Sequence, residues 1–307
     1  MYNVLCPGEM LIDFVATYEH PDLYLKKAGG APANVACAIN KFGCNANVLA
    51  TVGDDNFGEF LISNLTNNNL STEFILKSKI TTTLAFVSLD CENERSFEFV
   101  RGADAQMSIS DFSKFKNYDL FHFASATAFL GGELGMKYDQ LLNYAIENNI
   151  KVSFDMNYRD ALFPIITEEY LSKCRNYISK SDIIKLSEEE LLLLTNIDDR
   201  AKAIDVVQKL TSGIILISLG AEGSILIYNN EQFTVPSIKV QVNDTTGAGD
   251  AFIGAFIGSY LRVKDITTNE LIKCVEFANI AGALTTTKLG AFDSIPTLEE
   301  VNNYSKD

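Results

Sequence analysis

Asn243-Asp244-Thr245-Thr246-Gly247-Ala248-Gly249-Asp250-Ala251-Phe252 is the stretch on which the reading of this chain turns. A β-rich run, QFTVPSIKVQV (232–242), precedes it, and an apolar helical run, AFIGAFIGSYL (251–261), follows it. Small residues at 247–249 let backbone approach a ligand closely. The helix start adds unpaired N–H groups and the positive end of the helix dipole. Together they make an anion site suited to a phosphoryl group in transfer. Asp250 has two readings here. A carboxylate in the first helical turn suits the dipole and can cap the helix, and a carboxylate beside a phosphate site can also accept a proton from an attacking hydroxyl.

Outward from this segment, apolar runs at 47–52, 120–125, 151–156, 182–187 and 213–219 look like buried parallel strands. Helical patterns separate them at 34–43, 135–149, 168–180, 198–211 and 269–288, with Val35, Ala38, Ile39 and Phe42 at i, i+3, i+4 and i+7 in the first. The alternation predicts an α/β fold with a mostly parallel sheet and helices on both faces. Residues 9–17 and 83–101 break the rhythm, reading as strands without intervening helices, the second as a hairpin around Asp90–Glu94. They form either a small antiparallel sheet able to cover a site as a lid or an ordinary sheet edge. All 307 residues are expected to form one domain that includes these strands.

Composition narrows the chemistry. Forty Asp and Glu oppose 25 Lys and Arg, for a net charge of −15, and no basic patch offsets it, so nucleic acid and anionic membranes are not expected partners. No apolar run approaches the length of a membrane span, and the N-terminus lacks a secretory pattern. The six cysteines are scattered without a C-x-x-C pair, as for reduced cytoplasmic thiols. The two histidines, His20 beside Pro21 and His122 in an apolar run, leave acid–base work to carboxylates. A dinucleotide fingerprint fails because Phe252 stands where its third glycine belongs, and no G-x-x-x-x-G-K-[ST] string occurs.

The chain resembles the ribokinase-like, PfkB-type carbohydrate kinases. One signature runs from Gly29-Gly30-Ala31-Pro32-Ala33-Asn34-Val35-Ala36 through Gly43 to Val52-Gly53-Asp54-Asp55 and Gly58; the other is Asp244-Thr-Thr-Gly-Ala-Gly-Asp250. The double glycine and Ala-Pro-Ala-Asn resemble fructokinases more than ribokinases. The resemblance implies an αβα sandwich with a β-sheet lid. It implies sugar contacts from Asp13, Gly30 and Asn34, and Asp250 as catalytic base on the Gly247, Ala248, Gly249 loop. Asp155-Met156-Asn157-Tyr158-Arg159 resembles the D-x-N-x-R element of fructokinases and 2-keto-3-deoxygluconate kinases. It makes Arg159 a sugar contact, with a structural ion pair as the alternative, and Arg101 in EFVRGADAQ resembles a further fructokinase element.

The same resemblance implies ATP and Mg²⁺, with Glu190 reaching magnesium through water. Ser187 stands where the family has Asn, and it also suits an N-cap for a helix over 188–195. Ser218, Gly220 and Gly223 match the nucleotide loop and Asn279 a position near adenine. Asp244, Thr246, Thr285, Gly290 and Ser294 fall where the family binds a monovalent cation such as K⁺. The implied reaction is phosphorylation of fructose to fructose 6-phosphate, with 2-keto-3-deoxygluconate kinase or a ribokinase-type enzyme as alternatives and a sugar or nucleotide sensor as the non-enzymatic one. The lid strands suggest a homodimer.

Overall fold

The computed structural model describes residues 1–16, 23–89 and 95–304. The turn expected at Asp90–Glu94, Cys91 and His20 lie outside the described residues. In chain order the strands are β1 (Asn3–Pro7), β2 (Leu11–Ala16), β3 (Tyr24–Gly29), β4 (Asn45–Gly53), β5 (Ile75–Ser78), β6 (Leu84–Leu89), β7 (Arg95–Val100), β8 (Leu120–Ala124), β9 (Lys151–Asp155), β10 (Ile183–Ser187), β11 (Ile214–Ser218), β12 (Gly223–Tyr228) and β13 (Glu231–Pro236). The helices are α1 (Ala31–Lys41), α2 (Asn56–Asn67), α3 (Gly132–Glu147), α4 (Glu168–Ser179), α5 (Glu188–Thr195), α6 (Arg200–Gln208), α7 (Ala248–Tyr260), α8 (Thr268–Thr285) and α9 (Leu298–Tyr304).

Nine strands form one sheet in the order β13-β12-β11-β10-β9-β8-β1-β4-β5. Pairing is parallel from β11 to β5, and the β12–β13 hairpin closes the other edge antiparallel. Both faces are covered, so neighbouring residues of one strand enter opposite cores. Val4 and Cys6 pack with α1, α7 and α8 residues, while Leu5 packs with Phe121, Phe123 and Tyr138 on the other side. This two-sided burial explains why the strands read as continuous apolar runs. The β-rich reading of 232–242 holds only as far as Pro236.

A second sheet of four strands, β3-β2-β6-β7, stands apart. The β6–β7 hairpin is antiparallel, as expected, and so is the β2–β3 pair, but the two join through a parallel β2–β6 pair, so the small sheet is not antiparallel throughout. The strand expected at 9–17 spans Leu11–Ala16, and β3 was not anticipated. Among the described residues no helix is long and apolar enough to cross a membrane.

Helix α7 is buried nearly all round and crosses α1 closely. A methyl group on Gly254 would lie 2.9 Å from the Val35 carbonyl oxygen and crowd Ala38, so only glycine permits this approach. That contact brings the N-terminal ends of α1 and α7 together at one place.

Candidate active site

A cleft of about 450 Å³ opens where the small sheet faces the C-terminal ends of the parallel strands. Such ends are where α/β folds gather ligand-binding groups. Asp13 and Phe99 line the cleft from the small sheet. Gly30 and Asn34 line it from the start of α1, Asn157 and Arg159 from the loop after β9, and Gly247, Gly249 and Asp250 from the start of α7.

Asp250 sits at the centre and is 5% exposed. Asn34 Nδ2 donates to its Oδ2 at 2.7 Å, and Asn157 Nδ2 donates to its Oδ1 at 3.3 Å. Two amides thus orient one carboxylate. Their own oxygens, Asn34 Oδ1 and Asn157 Oδ1, are buried without a partner among the described residues. Such acceptors are costly to leave unpaired and are suited to ligand hydroxyls. Asn157 holds its place through a left-handed backbone (φ 41°) and an amide N–H that donates to Asp155 Oδ1 at 3.0 Å. Sequence reasoning quoted Asn157 within its motif but gave it no role.

At the start of α7, Gly247 is left-handed (φ 78°) and no side chain caps the helix. Ala248 N–H donates to Thr245 O and Ala251 N–H to Gly247 O, so the first-turn amides between them face the cleft for an anion. Asp250 therefore does not fill the N-cap position. The cap-only reading of its carboxylate loses its geometric basis.

The other expected residues fall into three groups. In the small sheet, the Asp13 carboxylate lies over the Gly29 backbone. Arg159 is exposed at the rim, donates only to the Tyr158 carbonyl at 3.1 Å, and makes no ion pair among the described residues. The ion-pair alternative is therefore unsupported. Arg101 does not line the cleft. It pairs with Asp104 at 3.0 Å and donates to the Thr127 carbonyl at 3.0 Å, behind the wall.

Further along the strand ends, Ser187 caps α5 in a reciprocal box with Glu190. Glu190 Oε2 accepts the Ser187 N–H at 2.7 Å, and Oε1 accepts the Tyr158 N–H at 2.8 Å. Ser218 lies beside Ser187 in register, with Gly220 and Gly223 following, both at positive φ. Asn279 is fully engaged, accepting from Ser224 Oγ and donating to the Val235 and Pro236 carbonyls.

The third group is a loop cluster. Asp244 accepts from the Thr246 and Gly290 N–H groups at 2.8 and 2.9 Å, and Ser294 Oγ donates to the Gly290 carbonyl. Asp244 N–H donates to the carbonyl of Thr286, next to Thr285.

Two buried features were missed by sequence reasoning. Lys185, on β10, donates to Asp155 Oδ1 at 3.1 Å and lines the cleft. Burial opposes its charge, but the Asp155, Glu190 and Asp250 carboxylates outweigh that and raise its pKa. Asp155 is pushed up by burial and by Glu190 and Asp250, against the pull of Lys185. Glu9 follows β1, is 3% exposed, and accepts from Ala31 N–H at 3.3 Å and Thr127 Oγ1 at 3.2 Å. Burial pushes its carboxyl up to about 7. Neither residue carries a signal in one sequence, because only the fold shows which charges are buried. His122 bonds Ser153 inside the sheet, and burial lowers its pKa to about 3, as suits a core residue.

Residues 1–298 match the family model for pfkB family carbohydrate kinases. The chain is 38% identical to fructokinase-1 of Zea mays, over 96% of this chain and 94% of that one. It superposes on the fructokinase of Xylella fastidiosa with bound ATP at a TM-score of 0.90 and 30% identity, covering 99% and 98% of the two chains. The fructokinase of Vibrio cholerae O395 with fructose, ADP and calcium gives a TM-score of 0.90 at 28% identity, covering 99% of each. A small-residue anion loop, a carboxylate steered by two amides and a match over nearly the whole length agree: the chain belongs to the pfkB family of carbohydrate kinases.

Proposed function

We propose that this sugar kinase is an ATP-dependent fructokinase making fructose 6-phosphate, and that all 307 residues work as one domain with the small sheet as its lid. The observation that carries the reading is the convergence of Asn34 and Asn157 on Asp250 at the mouth of the anion loop. The sugar's primary hydroxyl attacks the terminal phosphorus of ATP. Asp250 takes the hydroxyl proton, the oxygen–phosphorus bond forms, and the bond to the bridging oxygen breaks, its electron pair leaving with ADP. First-turn amides of α7 hold the phosphoryl oxygens. Asp13, the Gly30 backbone, Asn34 and Arg159 hold the sugar.

Magnesium, bound with the nucleotide, would neutralise charge on its phosphates. Glu190, whose oxygens each already accept a backbone N–H, fits a contact through water. Ser187, Ser218, Gly220 and Gly223 form the nucleotide side, with Asn279 shaping it from behind. The Asp244–Gly290 cluster suits a monovalent cation, K⁺ above others. Exposed Tyr24, Leu25 and Val100 on the small sheet suit pairing of two copies, and a cytoplasmic setting suits the free thiols.

ADP release measured over fructose, 2-keto-3-deoxygluconate and ribose tests the reading. Fructose should give the highest kcat/KM. An inert fructose with an efficient keto acid or pentose would overturn the sugar assignment and leave the kinase class standing.

A further inference from the structure

Among the described residues, two cations line the cleft. Arg159 is exposed at its rim, while Lys185 is 6% exposed on its floor. Three carboxylates surround Lys185. Asp155 is its hydrogen-bond partner at 3.1 Å and lies opposite it in the β9–β10 register. Glu190 Oε2 is 4.0 Å away, and Asp250 adds its charge from α7. An ammonium has three N–H donors, and among the described residues Lys185 uses one, on Asp155. Its remaining side lies against the anion loop, where a methyl group built on Gly249 would be 3.3 Å from Nζ.

A counter-ion for Asp155 would explain part of this arrangement. It does not explain why the pair was placed on a cleft floor, since a buried ion pair contributes little stability over an apolar pair of similar size. Nor does it meet the larger electrostatic problem. A terminal phosphate arriving at the α7 loop meets Asp155, Glu190 and Asp250, and repulsion between like charges is strong where water is scarce. Among the described residues, Lys185 is the one protein cation on that floor.

We propose that Lys185 contacts the phosphoryl group in transfer, its ammonium taking up the negative charge of the phosphoryl oxygens. As the bond to the sugar oxygen forms and the bond to the bridging oxygen breaks, the proton passes to Asp250 and the electron pair leaves with ADP. Lys185 is then a catalytic residue, and Asp155 positions it. This rests on the sugar-kinase reading above.

The test compares D155N with D155N/K185M. K185M alone leaves Asp155 buried without its partner and can fail to fold, whereas the double variant removes both charges. Melting temperatures report folding, steady-state kinetics report kcat and sugar KM, and calorimetry reports ATP and ADP affinity. Relative to D155N, the double variant should lose about 10²–10³-fold in kcat, the usual cost of removing one transition-state donor. Its preference for ATP over ADP should fall about tenfold, with sugar KM little changed. A folded double variant with the kcat of D155N and an unchanged ATP preference would overturn the proposal and leave Lys185 a counter-ion. If the methionine does not fold, K185Q in the D155N background keeps a hydrogen bond across β9 and β10 and carries the same two outcomes. A parent enzyme idle on every sugar would sink the kinase reading instead.

Discussion

Asn34 and Asp250 stand 216 residues apart in the chain, and their side chains share a hydrogen bond of 2.7 Å. Each lies in the first turns of its own helix, and the close crossing of α1 and α7 sets the two helix starts side by side. The bond fixes the direction of a carboxylate whose proton affinity matters only if it points at the reacting hydroxyl.

Asp250→Asn should lower kcat by about 10²–10⁴-fold, the range for losing a general base. ATP and sugar should still bind, because the loop at 247–249 offers backbone N–H groups. The melting temperature should change little, since Asp250 does not occupy the N-cap. A variant that melts like the parent yet keeps more than about a tenth of its rate would remove Asp250 from the chemistry.

Asp13→Ala should weaken sugar binding by about 1–3 kcal/mol, the value of hydrogen bonds to a charged group. Nucleotide affinity should hold. Calorimetric titration of each ligand separates the two effects, and loss of ATP affinity with normal sugar binding would put Asp13 on the wrong side of the cleft.

Gly30→Ala tests a packing claim. Gly30 has φ 114° and precedes α1, and a methyl group there would run into the Glu9 carbonyl. Left-handed strain and the clash together should destabilise the chain by at least about 2 kcal/mol. Denaturant unfolding reads this directly. An unchanged midpoint would mean the segment can shift without cost.

Glu9→Gln tests a buried carboxyl that has no cation partner among the described residues. Folding raises its pKa from 4.5 to about 7. Between those values the native chain binds a proton that the unfolded chain has released. Its contribution to stability is therefore full below pH 4.5 and is lost as pH rises through about 7. Gln carries no such dependence. The variant's melting temperature should rise relative to the parent between about pH 5 and about pH 8, by an amount worth at most about 3 kcal/mol. Asp155, raised in the same direction, is present in both chains and cancels in the difference. Parallel melting curves across that range would show that Glu9 stays ionised.

The sequence by itself determined the main sheet and the anion loop, because both are local. Buried parallel strands such as Ile183–Ser187 and Ile214–Ser218 write their two-sided burial into consecutive apolar residues. Gly247, Gly249 and the apolar α7 lie within a few positions of one another. The strand β3 was illegible. Tyr24, Leu25 and Lys26 are exposed, and only pairing with β2 makes them a strand. Tertiary structure alone decided the charge layout. Lys185 reads as one lysine in an apolar run, Glu9 as one glutamate after a strand, and Asn157 as part of a motif. Burial, and the distance from each to Asp155, Thr127 or Asp250, depends on strands and helices far apart in the chain. Coulomb and desolvation energies follow those distances and the local exclusion of water, neither of which one-dimensional spacing records.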